Sequence, residues 1–110
     1  MKMPGAERAV VDVAEVREYL LSPTHAVGRF KAVFFASLGY RQENWSEMVR
    51  DLISIALLDG ARPTTLTRYG QKCEVRVMLG VPSGRRAVVV TVWIALGNKD
   101  FPRFVTAYPG

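Results

Sequence analysis

The spacing of apolar residues changes once along this chain, near Pro63, and that single change restricts the fold more than any other feature. Before it, three runs carry helical spacing. Asp12 opens the first, with Glu15 at the interval of a capping box, Val13, Val16 and Leu20 on one face, and Ser22-Pro23 as the stop. The second, residues 28–38, sets Phe30, Val33, Phe34, Ser37 and Leu38 at helical spacing and ends at Gly39. Asn44 and Glu47 mark the start of the third, where Trp45, Val49, Leu52, Ile53 and Ala56 form a stripe that ends at Asp59-Gly60. After Pro63 the period is two, and residues 64–69, 72–79, 86–96 and 101–108 read as strands. Gly70, residues 80–84 and Gly97-Asn98-Lys99-Asp100 are the expected turns. A parallel sheet would need helices between its strands. The expected fold is therefore α+β: three N-terminal helices packed on one face of a four-stranded antiparallel meander.

Length and composition fit that expectation. The 110 residues, 49% hydrophobic and 23% charged, suit a single core. Residues 1–11 lack a clear period and read as an N-terminal arm, leaving 12–110 as one α+β domain. The apolar stretch around Thr91 is far shorter than the roughly 20 residues of a membrane helix. Met1-Lys2-Met3-Pro4-Gly5 is followed by Glu7, Arg8 and Asp12 rather than by an apolar leader, so a cytoplasmic location and no membrane partner are expected. One cysteine, Cys73, and one histidine, His25, form no metal-ligand cluster, and no metal or other cofactor is expected. Fifteen basic against ten acidic residues give a net charge of +5, which favours an acidic partner such as nucleic acid.

Alternation divides the strands into two faces. Val88, Val90, Val92, Ile94 and Leu96 share one side of the third strand, and Val89, Thr91, Trp93 and Ala95 the other. In the second strand Cys73, Val75, Val77 and Leu79 alternate with Lys72, Glu74, Arg76 and Met78. In the fourth, Val105 and Ala107 alternate with Phe104, Thr106 and Tyr108. Turning each aliphatic set toward the helices gathers Lys72, Arg76, Thr91, Trp93, Thr106 and Tyr108 on the opposite surface. Such a face suits RNA, because cations meet phosphates, rings stack on bases and hydroxyls hydrogen-bond. The alternative is an ordinary solvated face, with Trp93 under a loop and Thr91 present for its strand propensity.

His25 is the natural first choice for proton transfer near neutrality, with capping of the next helix as its structural alternative. Arg29 and Lys31 follow it at a helix entrance, where cations do not serve the helix itself and an anion would be welcome. Gly28 either permits a close backbone approach or eases the turn. Tyr69-Gly70-Gln71-Lys72 either delivers Lys72 to the sheet surface or only starts a hairpin. Glu15, Glu18, Glu43, Glu47 and Asp51 sit at the spacings of solvated helix faces, which disfavours a paired-carboxylate hydrolase.

The stretch from Tyr19 through Ser22-Pro23-Thr24-His25 to Gly28-Arg29-Phe30-Lys31, with Leu38-Gly39-Tyr40, Tyr69-Gly70-Gln71-Lys72, Thr91-Val92-Trp93 and Pro102-Arg103-Phe104-Val105-Thr106-Ala107-Tyr108-Pro109, resembles a small bacterial family of toxin-like domains without an assigned activity. Members of that family resemble modules of polymorphic toxins. Their helices-then-meander order is similar to the barnase/EndoU/colicin/RelE ribonuclease-toxin superfamily. The resemblance implies metal-independent RNA cleavage by attack of a ribose 2′-hydroxyl on the adjacent phosphorus. His25 would then be the base or acid, Arg29, Lys31 and Lys72 would stabilise charge on phosphorus, and Thr91 and Tyr108 would position it or supply a proton. Trp93, Arg76 and Thr106 would bind substrate, with Trp93 stacking a base.

Besides RNA, the candidate partners are a small acidic antitoxin or immunity protein and a second copy of the chain. Two other readings stand beside the nuclease. One is a noncatalytic module that binds RNA or protein in a toxin/antitoxin-type system. The other is an interaction or immunity-type protein in which Gly28, Tyr69 and Pro102 only shape the fold. The nuclease reading expects His25, Lys31 and the sheet hydroxyls to converge in one cleft.

Overall fold

The computed structural model describes residues 1–96 and 101–110, so the turn expected at Gly97-Asn98-Lys99-Asp100 lies outside the described residues. The fold is α+β. A π-helix (Glu15–Leu20) and two α-helices, α1 (Arg29–Ser37) and α2 (Trp45–Ala56), precede four strands, β1 (Arg62–Thr67), β2 (Gly70–Leu79), β3 (Ala87–Leu96) and β4 (Pro102–Pro109). The sheet is antiparallel in the order β1-β2-β3-β4, the expected meander.

The helical half departs from a plain row of three α-helices. Asp12 accepts the Ala14 N–H at 2.9 Å as the expected cap, but the run then widens into π hydrogen bonding, with Leu21 N–H reaching Val16 O at 2.9 Å. Val16 and Leu20 are fully buried. In α1 the core residues are Ala32 and Phe35, while Phe30 and Val33, expected to face inward, are 70% and 73% exposed. Asn44 does not cap α2; its side chain instead bonds the Arg41 N–H and the Gly39 carbonyl. Residues 1–11 do not fray: Met3 and Ala6 join the core, and Val10 bridges to Arg103 beside β4. No helix among the described residues is long and apolar enough to cross a membrane.

Register decides which sheet face meets the helices. Directly paired residues share a face, and β2 pairs with β3 as Cys73↔Trp93, Val75↔Thr91, Val77↔Val89 and Leu79↔Ala87. The apolar set of β2 therefore carries Val89, Thr91 and Trp93 into the core, each at 0% exposure, and packs with Phe35, Met48, Leu52 and Leu20. This reverses the expected sorting of β3. The aliphatic set Val88, Val90, Val92 and Ile94 lies on the side away from the helices. In β4 a bulge between the pairs Val92↔Thr106 and Trp93↔Phe104 makes Val105 the extra residue, so Phe104 and Ala107 are both buried.

Candidate functional site

The open side of the sheet is built in three cross-strand rows. Arg62, Glu74, Val92 and Thr106 form one; Arg76, Val90 and Tyr108 the next; Lys72, Ile94 and Arg103 the third. Rows are about 7 Å apart along a strand, and neighbouring strands about 4.8 Å apart. Val90 and Val92 are nearly shielded from water between the longer polar side chains that flank them. Lys72, Arg76, Thr106 and Tyr108 thus share this face as expected.

Thr91 and Trp93 do not. The Trp93 Nε1–H donates to Thr91 Oγ1 at 2.9 Å, and the Thr91 hydroxyl donates to the Val75 carbonyl at 3.0 Å, all within the core. The indole N–H and the hydroxyl satisfy each other, which lets both be buried without an orphaned polar atom. Trp93 also packs edge-on against Phe104 at 5.3 Å between centroids. Neither residue can position a phosphate or stack on a base.

Glu74 is the residue that the sequence reading passed over. It is the single carboxylate in the four strands, a signal that counting would have found. Arg62 is its direct partner on β1, Lys72 and Arg76 flank it on β2, and the Tyr108 hydroxyl donates to its Oε2 at 3.4 Å. Gly60, Arg62, Glu74, Arg76 and Val90 line a small recess of about 130 Å³ at this point. Partial burial, together with the Glu74 charge and hydrogen bond, raises the Tyr108 phenol above its ordinary value.

A second group of predicted residues meets around Tyr19, at the end of the π-helix. The His25 ring stands edge-on to Tyr19 at 5.0 Å, and the Lys31 ammonium lies 5.3 Å from the same ring while donating to Thr106 Oγ1 at 2.8 Å. His25, Lys31 and Thr106 are thereby linked, and Thr106 also ends the row that contains Glu74. Gly28 makes the approach possible. A Cβ there would stand 2.2 Å from the Tyr19 carbonyl oxygen, so only glycine lets the start of α1 lie this close to the π-helix.

His25 is committed to structure. Its Nδ1 accepts the N–H groups of Val27 and Gly28 at 3.0 and 2.9 Å, so the neutral ring carries its proton on Nε2. A base would need the opposite tautomer, and an imidazolium would lose both bonds. The ring is a cap that offers one donor. Arg29 stays outside the cluster, its guanidinium 4.7 Å from the Phe30 ring on exposed surface.

Over residues 2–110 the sequence matches the family described as Domain of unknown function (DUF6883). The chain belongs to that family. Its fold is similar to a chain of the structure titled "Contact-dependent growth inhibition toxin - immunity protein complex from Klebsiella pneumoniae 342", with a TM-score of 0.68, 18% identity, and 92% of this chain and 99% of that chain covered. No curated relative matches it. Among the described residues this DUF6883 domain has no cluster of three His, Cys, Asp or Glu side chains able to hold a metal ion. Its polar groups suit proton transfer and anion binding.

Proposed function

We propose that the chain is a toxin-like ribonuclease that cleaves RNA through its 2′-hydroxyl, with Glu74 in place of His25 as the general base. The observation that carries this reading is the lone carboxylate of the strands, set among Arg62, Lys72 and Arg76 with the Tyr108 hydroxyl against it. Glu74 takes the 2′-hydroxyl proton as the oxygen attacks phosphorus. The new bond closes a 2′,3′-cyclic phosphate, and the bond to the 5′-oxygen breaks. Tyr108 gives its proton to that leaving oxygen and recovers one from Glu74 along their existing hydrogen bond. Arg76 and Arg62 bind the phosphoryl oxygens from the sheet side, Lys31 from its post on Thr106, and Lys72 extends the cationic path. His25 donates from Nε2 and orders the entrance of α1.

The match to a chain from a toxin–immunity complex supports a place in a toxin system, and the net charge of +5 fits a small acidic partner covering the cationic face. The test is incubation of the full chain with transfer and ribosomal RNA in EDTA, with fragment ends analysed for cyclic phosphate. Wild type is expected to cut, Glu74→Gln to lose cutting, and His25→Ala to lose less. Binding without cutting by wild type would replace this reading with a noncatalytic RNA-binding module. Full activity in Glu74→Gln would remove the carboxylate from the mechanism.

A further inference from the structure

We infer that the β1–β2 hairpin tip is a base-stacking subsite for unpaired RNA; the inference rests on the nuclease reading of the open sheet face and names the form of substrate that face accepts. Tyr69 is 62% exposed, which is unusual for a ring held this firmly. Its backbone N–H donates to Thr67 Oγ1 at 3.1 Å, and the Thr67 hydroxyl donates to the Gly70 carbonyl at 3.0 Å. Gly70, at φ 144°, takes the chain out of the turn in a conformation that favours glycine. The Arg68 guanidinium donates to the Tyr69 hydroxyl at 2.7 Å and lies 4.9 Å from its ring centroid. The phenol is satisfied and the ring is braced by a cation, while much of its surface is open.

An exposed, pre-ordered aromatic ring with a cation beside it is what a single-stranded nucleic acid uses as a platform. The tip is at the end of the sheet where Gly70 opposes Leu96, one step beyond the row of Lys72, Ile94 and Arg103. Tyr69 stands five residues from Glu74 along the chain, about 17 Å in an extended strand. A strand whose reactive phosphate sits at Glu74 passes Lys72 and places a base a few nucleotides away on Tyr69. A duplex keeps its bases stacked within and offers none to the ring. The preferred substrate is then an RNA loop or single strand.

The test uses a single-stranded RNA carrying 2-aminopurine and a methyl group on every 2′-oxygen, which removes the nucleophile, together with a duplex of the same sequence. Wild type is expected to quench 2-aminopurine at one register. Tyr69→Ala should lose the quench and bind the single strand about 5- to 30-fold more weakly, with duplex affinity unchanged. Tyr69→Phe should bind as wild type does, since the ring and not the hydroxyl carries the contact. Equal single-strand affinity and quenching in Tyr69→Ala would overturn the subsite. Cutting of unmodified RNA by wild type, measured alongside, separates the two readings. Cutting with unchanged binding in Tyr69→Ala removes only the subsite. Quenching by a wild type that never cuts removes only the nuclease, and a wild type that binds no RNA removes both.

Discussion

The two faces of one sheet obey opposite rules in this molecule. On the helix side, polar atoms are admitted only as a closed pair: the Thr91 hydroxyl and the Trp93 N–H spend their hydrogen bonds on each other and on the Val75 carbonyl. On the open side, Arg62, Glu74, Arg76, Thr106 and Tyr108 cross the strands in neighbouring rows, with hydrogen-bonding capacity left for a ligand. The difference teaches that residue type alone does not mark a site. A tryptophan and a threonine side by side are core when they satisfy one another.

Substitutions can break that contrast in order of expected effect. Trp93→Ala should lower stability by about 3–5 kcal/mol, read as the urea midpoint, with the folded fraction keeping its RNA-cutting rate. A selective loss of cutting at full stability would return Trp93 to the site. Glu74→Gln reverses the pattern, with cutting expected to fall by about 100-fold or more. Its unfolding free energy should stay within about 0.5 kcal/mol of wild type, as for a surface change. Thr91→Val removes the acceptor for the buried indole N–H and should cost about 1–3 kcal/mol. A neutral result would show that the Trp93 N–H finds another acceptor.

The smallest effect is a pH dependence. Tyr40 is raised above the ordinary phenol value of 10.0 by burial and then by its 2.5 Å hydrogen bond to Asp51, and Tyr108 is raised by its own partial burial and by Glu74. A phenol held above its unfolded value stabilises the fold fully below that value. The contribution is lost as pH rises through the folded one. Thermal midpoints should therefore fall above pH 10, with Tyr40→Phe removing more of the fall than Tyr108→Phe. An equal response from both variants would erase the distinction between the buried phenol and the surface one.

Much of this was readable from spacing. From Lys72 to Val77, β2 alternates charged and apolar residues, so its faces could be assigned, and the switch near Pro63 predicted the meander. β3 is apolar on both sides, and alternation cannot orient such a strand. Only its pairing with β2 does, odd residue to odd residue. The Val105 bulge re-sorts β4 after Phe104 and has no local marker. In α1, Phe30, Val33, Phe34 and Phe35 offer apolar residues in several directions, so packing rather than period chose Phe35 for the core. The meeting of His25, Lys31 and Thr106 depended on Gly28 lying against Tyr19, a contact invisible in one dimension.

The closed pair around Trp93 also gives the molecule a built-in optical gauge. Of its two indoles, Trp93 is sealed from solvent, whereas Trp45 is partly open with the Arg17 guanidinium 5.7 Å from its ring. Neither lies on the open sheet face. Their emission follows the integrity of the core, and a ligand titrated onto that face should leave the Trp93 signal unchanged, so unfolding can be read from tryptophan emission without interference from occupancy.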